Sequence, residues 1–381
     1  MIEYIIVFVL SIFCTYLAEK YSNSRNIFAF FIASSFAVLL PSALAGIRDS
    51  GIGYDTEVYG NYNFEWLSSY SNMTVHDFFK LIIDDVFGSE WLYMLWIFLS
   101  IKYTGDIYWY YFFLNFFVCL FTYLAIYNYR MKASMPFMMF VFLFSFYNIS
   151  LSAMRQSMAL ALALFSYHYF ETRNWKVLIP LLFLVYLFHN SGMFFIVVLL
   201  FIWLQQENYL SPKRFKWLIL FIPLSFTLFD PILNFLVSYG IFPQKFADLY
   251  SSDVSKKGFM AANTLLSVAL YFILNVGMIK LSFNEKLKAQ IFLNNQILYV
   301  AFLLSMIVSI WSFRISYYFY YMNILFIPAY LKILYVNKVS NAKLIKVAAI
   351  CMIIFIWLWT IVIRQENATY PYESDILNGL F

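Results

Sequence analysis

Charge is scarce in this sequence of 381 residues, since Asp, Glu, Lys and Arg together make up only 12% of it. A typical soluble domain carries roughly 25% of such residues. Hydrophobic residues reach 63%, so too few polar side chains remain to cover a water-soluble globule. Aromatic residues make up 23%, which excludes an intrinsically disordered chain. The composition therefore predicts an integral membrane protein.

Cysteine and histidine are also scarce, with three of each. Cys14, Cys119 and Cys351 all fall inside apolar blocks, where a thiol behaves as a small hydrophobic group, so neither a disulfide framework nor a thiolate metal site is expected. Three dispersed histidines argue against a zinc cluster. The sequence lacks a Walker loop and a Gly-rich nucleotide fingerprint, which disfavours an ATP-driven pump. We expect no metal, no cofactor and no nucleic-acid partner.

What the sequence does have is a series of long apolar runs. Runs of about 20 apolar residues predict transmembrane helices, and we predict an all-α polytopic fold of about 12 crossings (11–14) within one transmembrane domain, residues 1–381. The predicted crossings are 4–18, 27–46, 107–127, 135–151, 153–171, 177–188, 192–204, 217–236, 264–281, 295–312, 317–335 and 344–363. The first run follows an acidic residue, Glu3, and is not expected to be a cleaved signal peptide. The runs 177–188 and 192–204 are short, so they form either tilted spans or a re-entrant hairpin.

The distribution of charge predicts an orientation. Loops on one side of the predicted membrane carry 16 of the 25 basic residues and only four of the 20 acidic ones. By the positive-inside rule this side faces the cytoplasm, and both termini face outward. Two outer loops are long: residues 47–106 form a large periplasmic loop whose segment 91–99 is expected to be an interfacial helix, and residues 237–263 form a second one.

Four residues predict a site at the outer membrane boundary: Arg48, Arg155, His189 and Arg314. Charge near a membrane is costly, so a cluster of arginines needs an anionic partner. The planar guanidinium forms paired hydrogen bonds with phosphate oxygens, and Arg155 opens an apolar helix whose N-terminus attracts anions. A lipid diphosphate, with its tail in the bilayer and its head at this depth, is the ligand that this arrangement favours.

Each of these residues also has a structural interpretation. Arg48 alone is typical of a snorkelling membrane anchor, and His189 is as well suited to a hydrogen bond that caps the hairpin as to proton transfer. Asp49, Asp55 and Glu57 are alternative bases, although acidic residues in such a loop are usually solvated.

The pattern resembles the EpsG/Wzy-type polysaccharide polymerases of bacterial inner membranes. The resemblance covers nearly the full chain in order and rests on the following segments: Arg48-Asp49, Gly53-Tyr54-Asp55-Thr56 with Tyr59, Met154-Arg155-Gln156-Ser157, Phe188-His189-Asn190-Ser191, Arg314-Ile315-Ser316-Tyr317 and Tyr370-Pro371-Tyr372. It implies a GT-C-like membrane glycosyltransferase that joins undecaprenyl-diphosphate-linked oligosaccharide repeat units of O-antigen or exopolysaccharide at the periplasmic face and releases lipid diphosphate.

The resemblance also implies that Arg155, Arg48 and Arg314 contact the diphosphate and that His189 handles the proton. His189, Arg155 and Asp55 are expected to be catalytic. The residues expected to bind substrate are Arg48, Arg314, Asp49, Tyr59, Gln156 and Tyr317. The expected partners are the lipid-linked donor and acceptor, membrane lipid, a chain-length regulator and a flippase.

Two other functions fit the same residues. A flippase for lipid-linked oligosaccharides also has about 12 spans, but its charges line a central cavity, whereas the cations here gather on the outer side. A ligase that joins O-antigen to the lipid A core of lipopolysaccharide uses the same kind of lipid diphosphate donor, and the sequence does not separate it from a polymerase.

Overall fold

The computed structural model describes residues 1–24, 26–84, 86, 90–240, 257–306 and 310–379. Within these ranges the chain is helical and contains no β-strand. Seven helices are long and apolar enough to cross a membrane, and three more apolar helices are shorter. The predicted all-α, multi-pass membrane fold is therefore confirmed. The count of about 12 crossings and the single-domain boundaries stay predictions.

The chain divides into two compact units, residues 1–193 with 353–381 and residues 194–352. The α-helices of the first unit are α1 (Ile2–Ser24), α2 (Ile27–Gly46), α3 (Tyr62–Ser68), α4 (Val75–Ile83), α5 (Trp91–Thr104), α6 (Ile107–Tyr129), α7 (Met135–Ser145), α8 (Tyr147–Ser152), α9 (Met154–Glu171) and α10 (Trp175–Phe188). The second unit holds α11 (Phe195–Gln206), α12 (Pro212–Ser238), α13 (Lys257–Asn275), α14 (Phe283–Ser305) and α15 (Ile310–Val336). The next helix, α16 (Ala342–Trp357), passes from the second unit back into the first, and a short α17 (Asp375–Asn378) follows.

Small side chains hold α1 and α2 together in the first unit. Ser11, Thr15 and Ala18 of α1 are buried, as are Ala33 and Ala37 of α2. Lipid gives apolar helices little hydrophobic reason to associate, so close packing through small residues supplies the contact instead.

A proline in α2 is accommodated by a neighbouring hydroxyl. Pro41 has no N–H, so the carbonyl of Ala37 loses its usual intrahelical donor. The Ser11 hydroxyl of α1 donates to that carbonyl at 2.6 Å. The Tyr147 hydroxyl donates to the carbonyl of Pro41 itself at 2.6 Å. The carbonyl that the proline frees thus makes a contact between α1 and α2, and α2 continues through Pro41.

The run predicted as one crossing at 135–151 is divided in the structure. Helix α7 ends at Ser145, Phe146 leaves helical geometry with φ −127°, and α8 begins at Tyr147. After this break, the side-chain amide of Asn148 donates to the Thr369 hydroxyl at 3.0 Å. Its side-chain oxygen, Oδ1, accepts from the Trp357 indole N–H at 2.8 Å. The apolar composition of the run did not reveal that one of its polar residues, Asn148, makes both of these contacts.

The segment after α16 packs on the end of α2. The Tyr372 hydroxyl donates to the Leu44 carbonyl at 2.7 Å, and the Ser374 hydroxyl donates to the Ile47 carbonyl at 2.5 Å. Carbonyls in the last turn of a helix lack intrahelical donors, so these hydroxyls cap α2. Residues 48–49 and 370–372, the first and last segments of the sequence resemblance, are therefore neighbours.

Buried amides connect the helices of the second unit. The side-chain amide of Asn323 on α15 donates to Gln296 Oε1 on α14 at 2.6 Å. The side-chain amide of Asn295 on α14 donates to Asn323 Oδ1 at 2.9 Å. Gln296 donates onward to the Ser267 carbonyl of α13 at 3.1 Å. Hydrogen bonds of this kind hold helices together in an apolar environment.

The predicted outer loop 47–106 is helical over much of its length. It contains a π-helical turn, Thr56–Asn61, followed by α3, α4 and α5. The expected helix at 91–99 is present as α5 and ends at Gly105 in the left-handed region, φ 64°. Its placement at a membrane surface stays a prediction. In the second predicted loop, 237–263, residues 241–256 lie outside the described residues.

Candidate functional site

The loop after α2 is fixed against the junction of α8 and α9. Gly53 has φ +104°, and a Cβ atom there would lie 2.5 Å from the Leu151 carbonyl oxygen, so only glycine fits. Its N–H donates to the Ala368 carbonyl at 2.8 Å. The next amide, of Tyr54, donates to the Ser152 hydroxyl at 3.1 Å. These contacts place Asp55 and Tyr59 beside the beginning of α9.

Arg155 extends from the first turn of α9 into this cluster. One of its terminal nitrogens, Nη1, donates to the carboxylate of Glu90, and its Cζ atom lies 3.9 Å from the centroid of the Tyr59 ring. The Tyr93 ring is 5.9 Å away, and Asp55 is close enough to interact electrostatically. Within the described part of the chain the guanidinium makes no other hydrogen bond, so further N–H donors are available to a ligand.

Glu90 also reaches the predicted histidine. One of its oxygens, Oε1, accepts the Asn190 N–H at 3.1 Å and lies 3.8 Å from His189 Nε2. On the other side of the imidazole, Nδ1 accepts the Ser191 N–H at 3.1 Å. A backbone N–H only donates, so Nδ1 carries no proton in this arrangement. Neutral His189 therefore carries its proton on Nε2, facing Glu90.

Arg48 is buried on the far side of the same tyrosine cluster. Its side chain is 1% exposed, its Cζ lies 4.3 Å from the Tyr111 ring centroid, and Nη2 donates to the Met154 sulfur at 3.5 Å. Two guanidinium nitrogens, Nε and Nη1, have no hydrogen-bond partner. Within the described residues no carboxylate pairs with it. A buried charge in this condition costs several kcal/mol, which a cation–π contact of about 2 kcal/mol offsets only in part.

Tyr93 links the two arginines. It interacts electrostatically with both Arg155 and Arg48. Burial raises its pKa to about 12, so the hydroxyl stays protonated at neutral pH. The hydroxyl donates to the Tyr59 carbonyl at 3.3 Å and lies 2.5 Å from the Tyr110 hydroxyl, which must then donate to it. The neutral Tyr93 phenol thus interacts with both guanidinium groups and neutralises neither.

The structure brings together most of the predicted residues that lie in the first unit. Arg155, His189, Asp55 and Tyr59 share one cluster, with Arg48 behind it. Gln156, the other predicted site residue on α9, directly follows Arg155 in the chain and is buried. Arg314 and Tyr317 lie on α15 in the second unit, and their part in the site stays a prediction.

Asp49 lies in a neighbouring cleft of about 430 Å³. One of its carboxylate oxygens accepts the Asp375 N–H at 2.8 Å. The cleft is formed by the loop after α2 and the segment after α16, and its lining includes Asp49, Tyr54, Arg364, Tyr370, Pro371 and Glu373. Tyr54 is 62% exposed, so an aromatic surface beside carboxylates is open to solvent.

Glu90 is the residue that the sequence prediction missed. It is not among the predicted site residues, although it directly precedes the apolar segment 91–99, and a carboxylate at that place was the available signal. In the structure it is the N-terminal boundary residue of α5 and the one acidic residue found in contact with both Arg155 and His189 among the described residues.

Among the residues that the structure describes, no group of three or more His, Cys, Asp or Glu side chains is arranged to hold a metal ion. The side chains gathered around Arg155 and Arg48 supply two guanidinium groups, carboxylates, an imidazole and several phenols. Such a set binds an anion of high charge density and moves a proton.

Comparison with known proteins adds the family. No curated protein and no solved structure matches the chain. A family model, that of the EpsG family, matches residues 31–374, a range that includes every predicted site residue and Glu90. The sequence resemblance is thereby confirmed, and the chain belongs to the EpsG family.

Proposed function

We propose that this protein is a glycosyltransferase of the bacterial inner membrane that polymerises undecaprenyl-diphosphate-linked oligosaccharide repeat units at the periplasmic face. Membership of the EpsG family supports a membrane protein of the polysaccharide-polymerase type. The observation that carries the finer proposal concerns two arginines: Arg155 has N–H donors left over, and Arg48 is buried with no acidic partner among the residues that the structure describes. Such a pair is suited to a lipid diphosphate.

The transfer step uses one bond exchange. A hydroxyl at the non-reducing end of the acceptor unit attacks the anomeric carbon of the donor glycan, and the bond from that carbon to the diphosphate oxygen breaks. The electron pair of the broken bond leaves with the lipid diphosphate, and the hydroxyl proton passes to a base of the site. Negative charge grows on the diphosphate during the step, so cations fixed at that place lower the barrier.

Arg155 and Arg48 contribute differently to this step. Arg155 is 24% exposed and stands at the start of α9, where backbone N–H groups add to the attraction of an anion. Arg48 is buried and contributes its charge at longer range, with little water to screen it. Asp55 and His189 stay candidates for proton transfer, and Tyr59 holds the Arg155 guanidinium in place.

The cleft beside the arginines is suited to a sugar. Exposed Tyr54 offers a ring surface, and Asp49 and Glu373 offer carboxylate acceptors for sugar hydroxyls. Tyr54 directly precedes Asp55 in the chain, so the cleft adjoins the residues around Arg155. We therefore assign the cleft to part of the acceptor glycan.

Deletion of the gene followed by gel analysis of the surface glycan tests the proposed function. A polymerase predicts that the ladder of long chains disappears while single repeat units remain on the surface. Accumulation of unflipped lipid-linked units would instead indicate a flippase, and free polymer not attached to lipid A would indicate a ligase. Re-expression of the intact chain should restore the ladder, whereas re-expression of Arg155→Ala should not.

A further inference from the structure

The carboxylate of Glu90 occupies one side of the Arg155 guanidinium. Its Oε2 accepts from Arg155 Nη1, and its side chain is 15% exposed against 24% for Arg155. The pair is thus largely withdrawn from water. Charge-assisted hydrogen bonds are strong in such surroundings. An anionic ligand can reach the remaining N–H donors of Arg155, but it must compete with Glu90 for Nη1 and for the charge of the guanidinium.

The same carboxylate is anchored independently of Arg155. Its other oxygen, Oε1, accepts the Asn190 N–H at 3.1 Å and faces His189 Nε2 at 3.8 Å. Both Asn190 and His189 belong to the segment after α10, not to α9. If the guanidinium turns toward a ligand, Glu90 therefore keeps a hydrogen bond and stays within reach of Arg155.

We propose that Glu90 is a positioning residue that acts through Arg155: it holds the guanidinium while the site is empty, yields it to a diphosphate, and takes it back after transfer so that the diphosphate leaves. This inference rests on the proposed function, because it takes the Arg155 ligand to be a diphosphate. It assigns to Glu90 a part in both binding and product release.

Binding of inorganic diphosphate to the purified full-length protein tests the proposal. Glu90→Gln keeps an oxygen that accepts the Asn190 N–H but removes the charge that competes for Arg155. Since charge-assisted hydrogen bonds are roughly twice as strong as neutral ones, we expect this variant to bind diphosphate about tenfold more tightly than the wild type. Unchanged or weaker binding would overturn the proposal.

A matched control separates the specific effect from loss of an ion pair. Glu171 forms a pair with Lys132 at 2.7 Å and is 16% exposed, close to the value for Glu90. Glu171→Gln should leave diphosphate affinity unchanged. If Glu90→Gln does not fold, Glu90→Asp, whose shorter side chain withdraws the carboxylate from Arg155, must show the gain in affinity.

Turnover gives a second measurement. The tighter hold on diphosphate predicts that Glu90→Gln lowers KM and kcat together, because the product leaves more slowly. A merely structural role would lower kcat without lowering KM. The Arg155→Ala variant separates a failure of the proposed function from a failure of the role of Glu90. If Arg155→Ala binds diphosphate as well as the wild type, the proposed function fails. If Arg155→Ala loses binding while Glu90→Gln gains none, only the role of Glu90 fails.

Discussion

Arg155 is stacked on Tyr59, with 3.9 Å between its Cζ atom and the ring centroid. Arg130 has the same distance to the ring of Tyr127, but its guanidinium donates to the Tyr127 carbonyl rather than to a carboxylate. The two arginines therefore share a cation–π contact and differ in their surroundings. Only Arg155 lies among acidic and imidazole groups.

Substitution of Arg155 is expected to remove polymerisation. Arg155→Ala should abolish long chains and leave single units, and Arg155→Lys should lower activity by at least about tenfold, because a point charge does not reproduce the paired geometry of a guanidinium. Gel analysis of the surface glycan measures both. Arg130→Lys, the matched control, should keep a normal ladder, and a normal ladder in Arg155→Ala would refute the assigned role.

Replacement of Arg48 by methionine should separate stability from function. The buried guanidinium has two unpartnered nitrogens, and an apolar side chain of similar length removes that cost, so the variant should be as stable as the wild type or more stable by about 1–4 kcal/mol. Polymer should nevertheless be lost. Thermal unfolding in detergent and glycan gels measure the two effects. Full-length polymer made by Arg48→Met would contradict a role in diphosphate binding.

The Gly53 turn should tolerate no side chain. Gly53→Ala forces a Cβ to within 2.5 Å of the Leu151 carbonyl oxygen at φ +104°, and we expect a loss of about 1–3 kcal/mol in stability together with reduced activity as Asp55 and Tyr59 shift. Gly51 is the control, since nothing lies within 4 Å of a Cβ built there. Thermal unfolding should distinguish the two variants, and equal midpoints would show that the turn relaxes freely.

The contact of Tyr372 with α2 should hold the segment after α16 in place. Tyr372→Phe removes the hydrogen bond to the Leu44 carbonyl, at a cost of about 1 kcal/mol, and should speed hydrogen exchange in residues 365–379. Tyr370→Phe, in the same segment, should leave exchange unchanged. Burial raises the pKa of Tyr372, so this stabilisation is fully present below the ordinary pKa of about 10 and is lost as the pH rises beyond it. A fall in the protection factors of residues 365–379, measured against the intrinsic exchange rate at each pH, already between pH 7 and 9 in the wild type would contradict this.

The sequence was sufficient for the fold class and for part of the site. Unbroken apolar runs leave few alternatives to membrane helices, and α5 and α9 begin close to where their runs predicted. Arg155 and His189 were identifiable because a charged or titratable group at the edge of an apolar helix is unusual. Their shared contact, Glu90, was not identifiable, because it lies 65 positions before Arg155 and 100 before Asn190. Only the folded chain brings these positions together.

The break at Phe146 and the capping of α2 escaped prediction for a related reason. Both depend on hydroxyl and amide groups that meet carbonyls far away in the chain, such as Tyr147 with Pro41 and Tyr372 with Leu44. Local propensity contains no information about such pairs. Unpaired Arg48 was also hidden, because a sequence shows that an arginine is present but not whether an acid accompanies it.

The first unit closes on itself through residues from both ends of the chain, as in the hydrogen bond from the Tyr4 hydroxyl to the Thr369 carbonyl, 365 positions apart. Tyr4 and Tyr372 both contribute to the electrostatic surroundings of Arg48. During synthesis α1 and α2 enter the membrane long before the ribosome has made the segment that covers them. Until residue 372 has been synthesised, Arg48 lacks one of the tyrosines that surround it in the folded protein. We therefore expect membrane quality-control proteases to degrade a chain that terminates before this residue.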